Sequence, residues 1–444
     1  MSSQDDKIRW LQGQLQSWVR AGVIDTACAE SIGRLYPDPQ SKTSRPWAML
    51  VFSGIGSVVI GLGIILLFAY NWHEMSKLAK LAVIFGSLIL AHLIGINFFV
   101  RSDRFKGLGE AITVLGTMLF GAGIWLIAQI YHIEEHFPNA FLFWGAGALL
   151  MAWTMPSVIQ AVLAAVLLTI WTATESVAFD TAVPYVFVFL LSLFPLAYKK
   201  HNGLLVSVLL LAVGFSTLFV VSAIEGDMVF YALLSLSVLY TAIGLIHQKP
   251  GKFEKFGQIY WFWGQASYFL ILFILGFTEV SKHTIKDIQM FSSPPVILCW
   301  AVPFALALAG WGIVGRDIVK KVKLRYYSYD LILMPLLLIF FCCYSFSMAR
   351  YFDWPLVAAF NLVFLTHALM RMAKGCMEAN LRQTAIGSLL LVALIIARFT
   401  DLFDSLAVRG LVFVVAGILI FSQGFFYVQS KKKKALQENK CESC

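Results

Sequence analysis

Apolar runs of about twenty residues recur along the whole chain, and each is long enough to cross roughly 30 Å of hydrocarbon as a helix. They fall near residues 47–70, 78–99, 108–131, 138–153, 156–174, 183–198, 203–222, 228–246, 257–277, 295–314, 329–348, 352–372, 382–398 and 405–428. The pattern predicts an all-α, polytopic transmembrane protein of about fourteen spans. A transmembrane barrel would need short alternating segments instead. Spans four, six and thirteen are short, which points to little tilt or partial insertion. Ahead of the first span, Ile8, Leu11, Leu15, Trp18 and Val19 keep helical spacing. Ala21-Gly22-Val23-Ile24 then breaks it, and Asp25 is placed to cap a second helix carrying Ile32 and Leu35. Residues 1–46 therefore read as a cytosolic helical hairpin. Residues 47–155 read as a membrane module of two Gly-rich hairpins, 156–430 as a C-terminal membrane region, and 431–444 as a basic cytosolic tail.

Within the third span, Gly109, Gly116 and Gly123 recur every seven residues and share nearly one helix face. Such a face lets another backbone approach closely, which is how helices associate in lipid. Sixty residues earlier, Gly56, Gly61 and Gly63 echo Gly116, Gly121 and Gly123. The last span carries its own heptad of Gly410, Gly417 and Gly424. The echo suggests that spans one and three run parallel and pack through matched glycine faces.

Both glycine-rich spans end in polar, aromatic clusters. The first is Asn71, Trp72, His73 and Glu74; the second is Gln129, Tyr131, His132, Glu134, Glu135 and His136. Trp and Tyr at this depth anchor a helix in the interface. Packed spans one and three would bring the two clusters together as an outer mouth for a ligand or partner. Inside the membrane the polar positions are few: His92, Glu110, Asn361 and His367. Ionisable groups there are costly and face protein or water. Glu110 reads either as an acid at a helix N-terminus or as a cation site paired with Arg104 or Lys106. His92 and His367 read as neutral rings making one interhelical hydrogen bond.

The chain of 444 residues is 59% apolar and 13% charged, too few charges for a soluble protein of this length. Its net charge of +9 does not imply a nucleic-acid partner, because basic residues in a membrane protein set topology. With the N-terminus in the cytoplasm, 27 of the 34 Lys and Arg fall on the inner side and 7 on the outer. That asymmetry favours an even number of spans with both termini inside. Seven cysteines lack any framework spacing, and Cys441-Glu442-Ser443-Cys444 is a lone CxxC with no second pair for zinc. No nucleotide loop, Ser-His-Asp arrangement or haem signature is evident. The sequence names no cofactor, metal or catalytic residue.

Four stretches resemble the bacterial membrane proteins grouped as domain of unknown function 2157. They are the Gly-rich span running into Asn71-Trp72, the block from Gly109-Glu110-Ala111 through Phe120-Gly121 to Gln129-Ile130-Tyr131-His132-Ile133, the leader Trp18 … Ala21-Gly22-Val23-Ile24, and Arg398-Phe399-Thr400-Asp401-Leu402-Phe403. The resemblance covers roughly the first 155 residues, with a weaker match near the C-terminus. It implies a protein of the bacterial inner membrane and supplies no activity. Many spans, little soluble mass and a few intramembrane polar groups fit a transporter or flippase-like carrier of a small or lipid-linked substrate. A membrane subunit binding a periplasmic or membrane partner is the alternative, and a membrane-embedded transferase a third. If the topology holds, cysteines introduced at Met75 and Glu135 will react with an impermeant thiol reagent from outside, and those at Asp103 and Val322 will not. Outside labelling at Asp103 would overturn the assignment of every span after the second.

Overall fold

The computed structural model describes residues 3–36, 75–101, 106–133, 136–248, 253–286, 294–322, 327–346 and 354–401, with helical turns between 414 and 430. Every regular element among the described residues is helical. The chain divides into two compact units, Met1–Val83 and Ile84–Cys444.

The first unit holds the expected hairpin. Helix α1 spans Ser3–Arg20 and α2 spans Thr26–Leu35. Gly22 takes the left-handed backbone (φ +70°) that a reversal of this kind requires. The Asp25 carboxylate accepts from the Cys28 N–H at 2.7 Å, the predicted N-cap. Leu15 is buried, and Trp10 meets Trp18 edge to face at 6.4 Å. Predicted span one lies outside the described residues, as do Gly56, Gly61, Gly63 and Gly410.

Helix α3 (Lys77–Arg101) begins at the end of this unit and continues into the second. There it is followed by α4 (Lys106–Tyr131), α5 (Pro138–Thr154), α6 (Val158–Phe179), α7 (Val186–Ser192), α8 (Phe194–Lys199), α9 (Gly203–Ile224) and α10 (Val229–Ile246). Then come α11 (Glu254–Leu275), α12 (Thr278–Lys286), α13 (Pro294–Val319), α14 (Leu333–Phe346), α15 (Trp354–Met377) and α16 (Leu381–Asp401). Among the described residues, nine helices are long and apolar enough to cross a membrane. Two of the spans read as short are short, and the third is not. Span four is the 17-residue α5, and span six is broken into α7 and α8. Pro195 accounts for that break, since its ring displaces the carbonyl four residues back and offers no N–H. Span thirteen is the full 21-residue α16. The described part of span eleven is a 3₁₀ turn at Tyr329–Ile332 leading into α14.

Close backbone approach organises the consecutive helix pairs. A Cβ built on Gly109 would sit 2.5 Å from the Phe99 nitrogen, one on Gly116 2.5 Å from the His92 ring, and one on Gly123 2.9 Å from Ile84. Gly95 returns the contact, meeting Thr113 and Gly109. The predicted glycine stripe is therefore a packing face, but antiparallel α3 fills it. The face expected to receive span one is occupied by span two. A second stripe escaped the sequence reading: Gly257 and Gly264 of α11, also seven apart, lie against Gly244 and Thr241 of α10. Gly375 and Gly387 join α15 to α16 in the same way. In contrast, a Cβ on Gly417 or Gly424 would meet nothing within 4 Å among the described residues.

One continuous apolar core runs from Ala148 in α5 to Leu394 in α16. It crosses residues 155 and 156, where the pattern of spans suggests a module boundary. Tyr231 stacks on Phe341 at 4.0 Å within it, and Trp171, Tyr268 and Phe360 are fully enclosed. Gly116→Leu and Gly264→Leu should each lower thermal stability in detergent by about 1–3 kcal/mol, the usual cost of overpacking. Gly312→Leu, which enters open space, should leave it unchanged or raised. Equal melting of all three would refute the packing role.

Candidate functional site

The outer mouth can be followed only in part. Asn71, Trp72, His73, Glu74, Glu134 and Glu135 lie outside the described residues. Helix α4 ends at Tyr131, and His132 follows with a left-handed φ of +52° while the Ile133 N–H returns to the Ala128 carbonyl at 2.9 Å. Gln129, Tyr131 and His132 are exposed. His136 has a buried partner: its Nε2 lies 2.7 Å from Glu175 Oε2, and Trp171 Nε1–H donates to the other carboxylate oxygen at 3.0 Å. The His136 ring packs 4.0 Å from Phe179. Glu175 is 5% exposed and His136 35%. Reading the fifth span as ending at Thr174 made Glu175 a loop residue. The helix instead runs to Phe179 and carries the acid inward.

Glu110 belongs to a second polar seam. Its carboxylate accepts from the Ser157 hydroxyl at 2.5 Å, and Ser157 in turn caps α6 through the Gln160 N–H. Gln160 donates to Thr117 Oγ1 at 2.9 Å, and Trp144 donates to the Thr117 carbonyl at 2.8 Å. The expected pairing of Glu110 with Lys106 does not form; Lys106 sits over the Phe99 ring at 5.0 Å instead. Arg104 is outside the described residues. His92 bonds within its own helix, to the Leu88 carbonyl at 3.0 Å, rather than across helices. Its ring lies against Gly116. This seam ties α4, α5 and α6 together through side-chain hydrogen bonds.

The densest polar cluster lies elsewhere, among α11, α14, α15 and α16. His367 Nδ1 lies 2.8 Å from Asp330 Oδ2, with side-chain exposures of 0% and 3%. The interhelical bond expected of His367 is therefore made to a buried acid. One turn along α15, the Arg371 guanidinium donates to Gln265 Oε1 at 2.6 Å and lies over Phe269 (5.0 Å) and Trp261 (5.6 Å). A cavity of about 210 Å³ opens onto this group. Ser328, Asp330, Arg371, Lys374 and Gln383 line it, with Glu378 exposed among them. Asp330 and Arg371 were passed over in the sequence because both sit within three residues of a predicted span end. There a charge reads as a topology marker.

The same helices hold a second buried cation at their far ends. Arg398, 3% exposed, donates from Nε to Asn361 Oδ1 and from Nη2 to the Phe273 carbonyl, both at 2.6 Å. Asn361 donates to the Gly276 carbonyl at 3.0 Å. Together they satisfy carbonyls left open at the C-terminus of α11, where a positive charge is favoured. Between this cap and Arg371 stands an aromatic layer. Phe364 meets Phe269 at 5.5 Å and Phe273 at 6.5 Å, and His367 edges onto Tyr268 and Phe269. Asn361 and Arg371 are ten residues apart on α15, about 15 Å along its axis. The layer separates two polar ends of one helix group.

Residues 16–177 match the model of a family described as predicted membrane protein (DUF2157). The resemblance read from the sequence holds over that stretch, and the chain is a membrane protein with several apolar helices. No curated protein and no solved structure matches the chain. The Asp330–His367 cluster lies outside the matched residues. Removing one partner of that pair should cost much more than removing both. Asp330→Ala is expected to lose about 3–5 kcal/mol of stability in detergent, and Asp330→Leu combined with His367→Leu to recover most of it. A double variant whose loss equals the sum of the two single-variant losses would show that the two groups act independently.

Proposed function

We propose that this protein is a membrane carrier of a small polar solute and that the cavity beneath Arg371 is one end of its pathway. The observation that supports the reading is the Asp330–His367 pair, fully enclosed by membrane helices yet adjoining a polar cavity. Charged groups inside a membrane protein are expensive and tend to mark ion, proton or substrate routes. A purely structural pair would have no need of a neighbouring cavity lined by further polar groups. The aromatic layer of Phe269, Phe273 and Phe364 supplies the barrier that a carrier needs on the other side.

Four stretches of chain line the cavity: the second turn of α11, the 3₁₀ turn ahead of α14, the last two turns of α15 and the first turn of α16. In the positive-inside reading all four lie on the cytoplasmic face, so the cavity is the inward-open end. That reading puts both termini inside, and the bacterial inner membrane is what the family resemblance implies. The His367–Asp330 pair is suited to proton coupling, because a proton taken up by the pair changes its net charge inside the helix bundle.

Proteoliposomes loaded with a pH-sensitive dye test this without knowledge of the solute. Under an imposed potassium diffusion potential, the wild-type protein should carry protons several-fold faster than protein-free liposomes. Asp330→Asn, folded by its elution profile, should return the flux to the protein-free level. Wild-type flux equal to that of empty liposomes would overturn the carrier reading.

A further inference from the structure

We infer that the cavity takes an oxyanion, a carboxylate or phosphate group, bound through Arg371 and Lys374; this rests on the carrier reading and names its solute class. The argument starts from charge balance. The Asp330 carboxylate is bonded by His367 and also lies in the field of Arg371, so it offsets one of the two cations on the cavity wall. Glu378 is exposed to solvent at the end of α15, where its charge is screened. Arg371 has no carboxylate of the described residues within ion-pair distance, and the bond it makes is to a neutral amide, Gln265. Lys374 stands on the cavity wall one turn away. The inner part of the cavity therefore carries an excess of positive charge within an apolar helix set, which is costly until an anion enters.

Geometry adds to the charge. The Arg371 plane is held against Phe269 and Trp261, so its edge and not its face is left for a ligand. Its Nε–H is buried and has no acceptor. A guanidinium edge matches the paired oxygens of a carboxylate or phosphate. Helix α16 also begins at the cavity, where Asn380, its cap, is one of the lining residues. About 210 Å³ is below the range of drug-sized pockets, so the ligand is a small solute or one lipid headgroup.

Calorimetric titration of the purified full-length protein in detergent tests this with three probes: inorganic phosphate, succinate, and phosphatidic acid presented in mixed micelles. Saturable binding of phosphate or succinate supports the inference with a free anion as the solute. Binding of phosphatidic acid alone supports it with a lipid headgroup as the source. In either case Arg371→Gln should weaken the affinity at least ten-fold. Lys374→Gln, at a more exposed position, serves as the second variant should Arg371→Gln not fold, with a several-fold loss expected. No saturable binding of any probe, or binding unchanged in both variants, would overturn the oxyanion site. Binding without proton flux keeps the site and removes the carrier; flux without anion binding does the reverse.

Discussion

A charge enclosed by apolar helices must find its partner within the protein, because no water is present to replace it. That requirement fixes where the helices of this chain can sit. Asp330 is tolerable only with His367 beside it, so the 3₁₀ turn ahead of α14 and the middle of α15 are held together. Arg398 is tolerable only where carbonyls are open, so α16 is held against the end of α11 through Asn361. The same logic ties α6 to the loop before α5, where His136 meets Glu175. Dispersion and packing then fill the space between these fixed points. Glycines supply the closest approaches, at Gly95 and Gly109, at Gly244 and Gly257, and at Gly375. The polar pairs select the register, and the glycine contacts set the spacing.

The helical, membrane-spanning character was legible from the recurrence of apolar runs, because hydrocarbon thickness imposes a length that few other structures share. The Asp25 cap and the glycine stripe of α4 were legible for the same kind of reason, since a local pattern fully specifies them. The partner of that stripe was not. Seven-residue spacing says that a face permits close approach but not which helix takes it, and the nearer neighbour α3 does. The candidate site was legible only at His367, His136 and Asn361. Their partners Asp330, Glu175 and Arg398 stand at span ends, where an isolated sequence gives no means to tell a solvated charge from one drawn inward by a few residues of extra helix. Gln265 and Arg371 are joined across 106 positions of chain, and no local pattern carries such a pairing.

In the C-terminal helices, chemistry and packing are the same arrangement seen twice. The i, i+4 series Trp261, Gln265, Phe269 and Phe273 on α11 presents a polar step between aromatic ones. Facing it, α15 presents Asn361, Phe364, His367 and Arg371. Polar groups meet near each end and aromatic rings meet between them. This leaves a polar cavity on one side and an aromatic layer behind it.

The carrier reading requires that water reach Ser328, on the cavity wall, from one face of the membrane only. The direct measurement is the reaction rate of Ser328→Cys with an impermeant methanethiosulfonate, in right-side-out and inverted vesicles, with the seven native cysteines replaced. The account predicts rapid reaction in inverted vesicles, from the face that also labels a cysteine at Val322, and none in right-side-out vesicles. Reaction from both faces, or from neither, would contradict it.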